Sequence, residues 1–276
     1  MKSTKDTILN GLDILGKVLI IIIMAFPFFW MISASFQTLQ ETIAVPPTLI
    51  PGQINLDNFK EVFKVVDVWQ YLRNSLIVCI SVVFLQYLVI VPAAYSLAKI
   101  DYKAKPLLFG LVMVGQMIPQ QITFLPVYFM FSKMNLMDTY TALIIPFISN
   151  PFGIFLLRQY FMQVPSEVIE AAKLDNASEL KIMFKIMMPM AKSALVTIGL
   201  LSFISNWNGY FWPLIMTNKD AYRTLPIGIS LLKDADSLQR WNVIMAGNLL
   251  LVLPMLLLYI FASKKIRNAF VYSGIK

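Results

Sequence analysis

Side chains able to do acid–base chemistry are scarce in this sequence, and their spacing suits docking better than catalysis. There is no histidine, which removes the usual general base, metal ligand and neutral-pH switch. The single cysteine, Cys79, sits in an apolar run, so no disulfide framework or cysteine-built metal site follows from it. A phosphate-binding loop needs two glycines at fixed spacing followed by Lys and Ser or Thr. Gly110 and Gly115 have that spacing but lead into Gln116-Met117 inside an apolar run, so ATP is not bound by that route. Asp234 and Asp236 are two acids without a third ligand, which reads as a solvated face. The one patterned set of charges is Glu167, Glu170 and Lys173, every three residues, followed by Asp175 and Glu179.

The elements that position this set are two short helices. Pro165-Ser166 is a helix-start signal, and Glu167 and Glu170 fall in the first turn, where the helix dipole favours acid. The three-residue recurrence makes one polar stripe, and Ala171 and Ala172 leave a small-residue patch open to close approach. Asp175-Asn176 breaks the helix. Asn176 precedes Glu179 by three, a capping-box-like restart. The second stretch carries Lys181, Lys185 and Lys192 near one face and Ile182 and Ile186 on another, ending at Met188-Pro189. A slack linker needs none of this, whereas a partner-docking elbow does.

The rest of the chain is membrane-like. Of its 276 residues 58% are apolar, against roughly 45–50% in ordinary soluble domains. Six apolar runs suit helices crossing a bilayer: Val18–Phe36, Leu76–Ala98, Leu107–Phe131, Thr139–Leu157, Ala194–Met216 and Val243–Ala262, none with Asp, Glu, Lys or Arg. The first run reads as a retained helix rather than a cleaved signal peptide, because five spans follow. With the N-terminus inside, 15 of the 23 Lys and Arg and 7 of the 15 acids are cytoplasmic, so the whole net charge of +8 faces inward. That is a topology signal, and a nucleic-acid footprint is unnecessary. Both termini and the elbow are then cytoplasmic. Outside, Leu56–Val66 has a helical pattern, with Asp57 or Asn58 as cap and Phe59, Val62, Phe63 and Val66 on one face. Its expected role is packing on the protein's own helices, with the membrane surface or an external partner as the alternatives.

Polar residues within the spans are uncharged: Gln86, Gln116, Gln120, Gln121, Asn150, Asn206, Asn208 and Asn248, with Trp207 and Tyr210 beside them. Polar groups at membrane depth face a bundle interior or a wet cavity. Amides pair with hydroxyls and an aromatic face covers the apolar side of a sugar ring. Gln116, Gln120, Asn150, Asn206, Trp207, Asn208 and Asn248 are therefore candidates for a sugar path, with hydrogen bonding between helices as the alternative role.

Glu170-Ala171-Ala172, Asp175, Ala177 and Met188-Pro189 resemble the cytoplasmic "EAA" loop of ATP-binding-cassette (ABC) importer permeases. The chain departs at Asn176, where that family usually has Gly; Asn is the next most tolerant residue of a left-handed backbone. Phe155-Leu156-Leu157-Arg158-Gln159-Tyr160-Phe161, Asn206-Trp207-Asn208 and Trp212-Pro213-Leu214 resemble the carbohydrate permeases among them. These serve maltose-, oligosaccharide- and glycerol-3-phosphate-type binding proteins, and Asn55-Leu56-Asp57-Asn58-Phe59 and Asn74-Ser75-Leu76 fit the same group.

The resemblance implies an all-α integral membrane protein with six transmembrane helices, the type I ABC importer permease fold and both termini inside. Residues 1–70 would hold the first helix and external loop. Residues 71–263 would form a five-helix core with the coupling loop at 165–189, and 264–276 a cytoplasmic tail. Glu170, Ala171, Ala172, Asp175, Asn176 and Ala177 would couple to an ATPase. The implied partners are a second, homologous permease in a heterodimer, two cytoplasmic ATPase subunits carrying ATP and Mg, an external or periplasmic solute-binding protein and a sugar. The implied setting is the plasma membrane of a bacterium or archaeon. No cofactor or metal is expected on this chain, which would be a transport subunit and not an enzyme. A secondary transporter is disfavoured by the lack of titratable groups in the spans, and a channel by the lack of a filter or charge ring.

Overall fold

The computed structural model describes residues 4–234 and 240–271. Lys2, Asp236 and Lys276 lie outside the described residues, as do the side chains of Asp234 and of the basic run Lys264–Arg267. Every regular element among the described residues is helical. Leu12–Ser35, Val68–Lys99 and Trp241–Ile260 are single helices long and apolar enough to cross a membrane. Three bent pairs bring the total to as many as six: Lys105–Met117 with Gln120–Lys133 (96°), Tyr140–Phe147 with Pro151–Met162 (44°), and Glu179–Met190 with Lys192–Trp207 (81°).

The expected third, fourth and fifth spans are therefore not continuous; the fourth, Thr139–Leu157, breaks between Phe147 and Pro151, with Asn150 capping the second half. The third breaks at Ile118-Pro119, where proline has no N–H to give and biases the residue before it away from helix. The fifth ends at Trp207, with Asn208 as C-cap, and resumes only at Phe211–Met216. Pro92 and Pro254, by contrast, sit inside unbroken helices.

The chain divides into two compact units, residues 1–68 with 228–254 and residues 69–227 with 255–276. In the first, Ile20, Ile21, Ile22 and Ile23 are all exposed, so the first helix offers lipid an apolar surface on every side. Its end is tied down by buried amides. Asn58 Nδ2 donates to the carbonyls of Ser35 (2.9 Å) and Gln37 (2.8 Å), and Asn242 Nδ2 donates to Asn58 Oδ1 at 2.7 Å. The external helix runs Asp57–Val65. Neither Asp57 nor Asn58 caps it: Asn55 Oδ1 accepts the Asp57 N–H at 2.9 Å, and Asn58 is the buried tie. Val62 and Val66 are buried as expected, while Phe63 points outward.

The second unit packs Val68–Lys99, Pro151–Met162, the elbow and Lys192–Trp207 around one core that includes Tyr95, Leu157, Phe161, Ile182, Met187 and Ile198. Close approach is needed where Tyr87 donates to the Leu195 carbonyl at 2.6 Å, and Gly199 leaves the room for that ring. Lys99 and Arg158 use their cationic heads on orphan carbonyls, of Val164 (2.5 Å) and Leu97 (3.1 Å). Within the elbow, Met183–Met187 winds as a single π turn.

Candidate functional site

The elbow's first helix, Ser166–Leu174, starts directly after Pro165 and places Glu167 in its first turn. It ends in a Schellman motif: Ala177 N–H bonds to Ala172 O at 3.0 Å and Asn176 N–H to Lys173 O at 3.0 Å. Asn176 has φ 53°, the left-handed conformation that glycine adopts most readily, so asparagine serves where the permease pattern has Gly. The restart differs from the expected one. Ser178, not Asn176, caps the second helix, its Oγ accepting the Lys181 N–H at 3.3 Å.

Glu179 is freed from capping and links elements instead. Its carboxylate accepts from Tyr95 Oη at 2.6 Å and pairs with Lys173 Nζ at 2.9 Å. The bonds from Tyr95 and then from Lys173 hold the carboxyl below its ordinary range.

The elbow has two faces. Ile169, Ala172, Ile182, Met183 and Met187 are buried in the core; Glu167, Glu170, Ala171, Lys173, Asp175 and Asn176 are exposed. Ala172 therefore belongs to the core, Ala177 is half-buried, and of the alanine pair Ala171 alone faces out. Leu174 and Leu180 add bare apolar surface at 84% and 66% exposure. Large apolar side chains standing in water beside a charged stripe mark an interaction surface.

A cavity of about 620 Å³ opens in the same unit. The two helix breaks build its wall: Gln120, Gln121 and Phe124 follow the Pro119 break, while Ser205, Asn206 and Trp212 flank the Asn208–Tyr210 break. The Trp212 indole is held rigidly. Its Nε1 donates to Ala142 O at 2.9 Å, and Phe124 and Phe147 meet it edge-on with centroids at 5.5 and 5.6 Å. Asn206 Nδ2 donates to Ser202 O at 2.8 Å. Among the described residues, no Asp, Glu, Lys or Arg lines the cavity.

Of the seven path candidates, the structure brings Gln120 and Asn206 to this cavity. Gln116 and Asn208 are exposed and outside its lining. Asn150 is a helix cap, its Oδ1 accepting the Gly153 N–H at 2.9 Å. Trp207 is 1% exposed and stacks on Phe203 with centroids 5.8 Å apart, so it is a core residue. Asn248 belongs to the other compact unit. Trp212 joins Phe124, Phe131, Phe147, Tyr210 and Phe211 in the aromatic lining of the cavity; of the two aromatic residues named beside the candidate amides, Tyr210 reaches it and Trp207 does not.

Residues 90–267 match the family described as binding-protein-dependent transport system inner membrane component. The whole chain is 33% identical to the whole of the arabinooligosaccharides transport system permease protein AraQ of Halalkalibacterium halodurans. It is 29% identical to the sn-glycerol-3-phosphate transport system permease protein UgpE of Brucella abortus, over 90% of each chain. The fold matches a solved bacterial ABC transporter involved in import of the acidic polysaccharide alginate, with a TM-score of 0.85 over 96% of this chain and 98% of that one at 23% identity.

Proposed function

The chain belongs to the family of binding-protein-dependent transport system inner membrane components, and from that premise we propose that it is the membrane-spanning permease subunit of an ATP-driven importer for a sugar or sugar derivative. ATP hydrolysis belongs to a partner ATPase, and this chain supplies a path and a coupling element. The observation that carries the reading is the two-faced elbow. Ile169, Ala172, Ile182 and Met187 fix one side to the core, while Glu170, Ala171, Leu174 and Leu180 stand free on the other.

The elbow at 165–189 docks on one of two cytoplasmic ATPases. Their ATP-driven closure moves it as a body and reorients the spans. The second, homologous permease completes the pathway, and an external binding protein delivers the sugar. Orientation follows the lysine and arginine distribution, with both termini in the cytoplasm of a bacterial cell. The first helix and external loop, residues 1–70, are an addition to the five-helix core at 71–263, and 264–276 is the tail. For transport to be driven, the path must bind sugar differently in its two states.

The test is affinity purification of the chain from mild detergent, followed by uptake. A second permease and an ATPase should co-purify, and uptake should require ATP and the binding protein. Purification of the chain alone, with uptake that survives ATP depletion and stops when the ion gradient is collapsed, would replace this reading with a secondary transporter.

A further inference from the structure

Among the described residues the polar groups lining the 620 Å³ cavity are all neutral at physiological pH; they include the amides of Gln120, Gln121 and Asn206, the hydroxyls of Ser205 and Tyr210, and the Trp212 indole. Thr224 is 4% exposed, and among the described residues its Oγ1 has no hydrogen-bond partner. That oxygen is itself inaccessible, so Thr224 lines the cavity without presenting its hydroxyl to it.

Two features bear on the guest's charge. The Gln120–Lys133 helix begins at the cavity with Pro119 as N-cap and no side-chain cap bond. Its free N–H groups carry roughly half an elementary positive charge. Arg223 is the residue next to Thr224, but its guanidinium is paired with Asp220 at 2.7 Å. A half charge with no full counter-ion leaves an anion mostly uncompensated in a poorly polarisable wall. The same N–H groups are well matched to a neutral hydroxyl oxygen.

We propose that this cavity selects uncharged saccharides and excludes phosphorylated sugars and uronic acids. The Trp212 face covers the apolar side of the ring, and Gln120 and Asn206 meet its hydroxyls. The inference rests on the cavity being part of the sugar path.

The test uses the complete importer without its binding protein, so that selection upstream is absent. Ser205→Cys places a thiol in the cavity, and the native Cys79 is buried and silent to a polar maleimide. A panel of neutral pentose and hexose mono- to trisaccharides is compared with sugar phosphates and uronates of the same sizes. At least one neutral sugar should slow labelling fivefold or more, while no anion slows it twofold. Gln120→Arg in the same background should bring protection by an anion. Equal or better protection by anions in the parent cavity overturns the proposal. Protection by neither class also overturns it and removes the cavity from the path. ATP-dependent uptake by the unmodified importer separately decides whether the importer reading stands.

Discussion

Removing one hydroxyl should loosen the connection between the elbow and the spans. Tyr95 lies on Val68–Lys99, 3% exposed, and its hydroxyl reaches Glu179 on the elbow at 2.6 Å. Tyr95→Phe keeps the ring and its edge contact with Phe161, whose centroid is 6.4 Å away, so the packing persists. The substitution removes a hydrogen bond to a carboxylate, a class worth about 1.5–3 kcal/mol. The Glu179 side chain is 53% exposed and water can replace the donor, so the lower end applies, about 1.5 kcal/mol. The Lys173–Glu179 ion pair, exposed on both sides, adds ~0–1 kcal/mol and cannot compensate. A loss near 1.4 kcal/mol raises the detached fraction about tenfold.

The assay is sugar transported per ATP hydrolysed by the reconstituted importer, with co-purification of the ATPase as control. Assembly and basal hydrolysis should persist while the transport yield falls. The Glu179 carboxyl is depressed in the folded protein, so its contribution is present above the ordinary carboxylate range and is lost as pH falls through the folded value. Tyr95→Phe should move that loss to higher pH. An unchanged yield in both Tyr95→Phe and Glu179→Gln would refute the reasoning.

Other substitutions separate the roles of neighbouring residues. Glu170→Lys reverses charge on the exposed face of the elbow and should abolish uptake and weaken ATPase co-purification, while membrane insertion, measured by fractionation, stays normal. Trp207→Ala opens a hole in the core and should destabilise the subunit by about 3–5 kcal/mol in thermal unfolding, whereas Trp212→Phe should leave folding near normal and change sugar preference in uptake. Gly199→Ala would press a methyl group onto the Tyr87 ring; overpacking of this kind costs about 1–3 kcal/mol and should show as a lowered melting temperature. Asn176→Gly should preserve uptake and stability, while Asn176→Val, β-branched at φ 53°, should lose both.

Much of the architecture is legible in composition, because crossing a bilayer demands long uncharged runs. The elbow's start at Pro165 and its break at Asn176 are equally legible, since proline and the left-handed residue act locally. The interruptions are harder to read. Ile118-Pro119 and Asn208–Tyr210 sit in stretches whose average polarity stays low, so a hydropathy window runs through them. Side-chain direction is harder still. Trp207 and Trp212 are both aromatic neighbours of the same break, and the turn between them decides that one stacks in the core and the other lines the cavity. Asn150 shows a further limit: an amide at membrane depth caps a helix as readily as it meets a sugar. Thr224 enters the cavity from a distant external segment and leaves no local trace.

The π turn at Met183–Met187 sets the phase of the chain beyond it. On a regular α-helix, side chains five apart diverge by about 140°, so Ile182 and Met187 could not both face inward. Wound one residue wider, the turn lets both bury completely. The elbow is thus metered in residues as well as in ångströms. Deleting one residue between Ile182 and Met187 would let the winding return to a regular α-helix, with the two side chains then four apart and about 40° from each other, so Met188, Pro189 and the next span would keep their phase. Loss of that one residue is therefore the change of length this segment absorbs, whereas a further inserted residue on α winding would turn the next span by about 100° relative to the elbow.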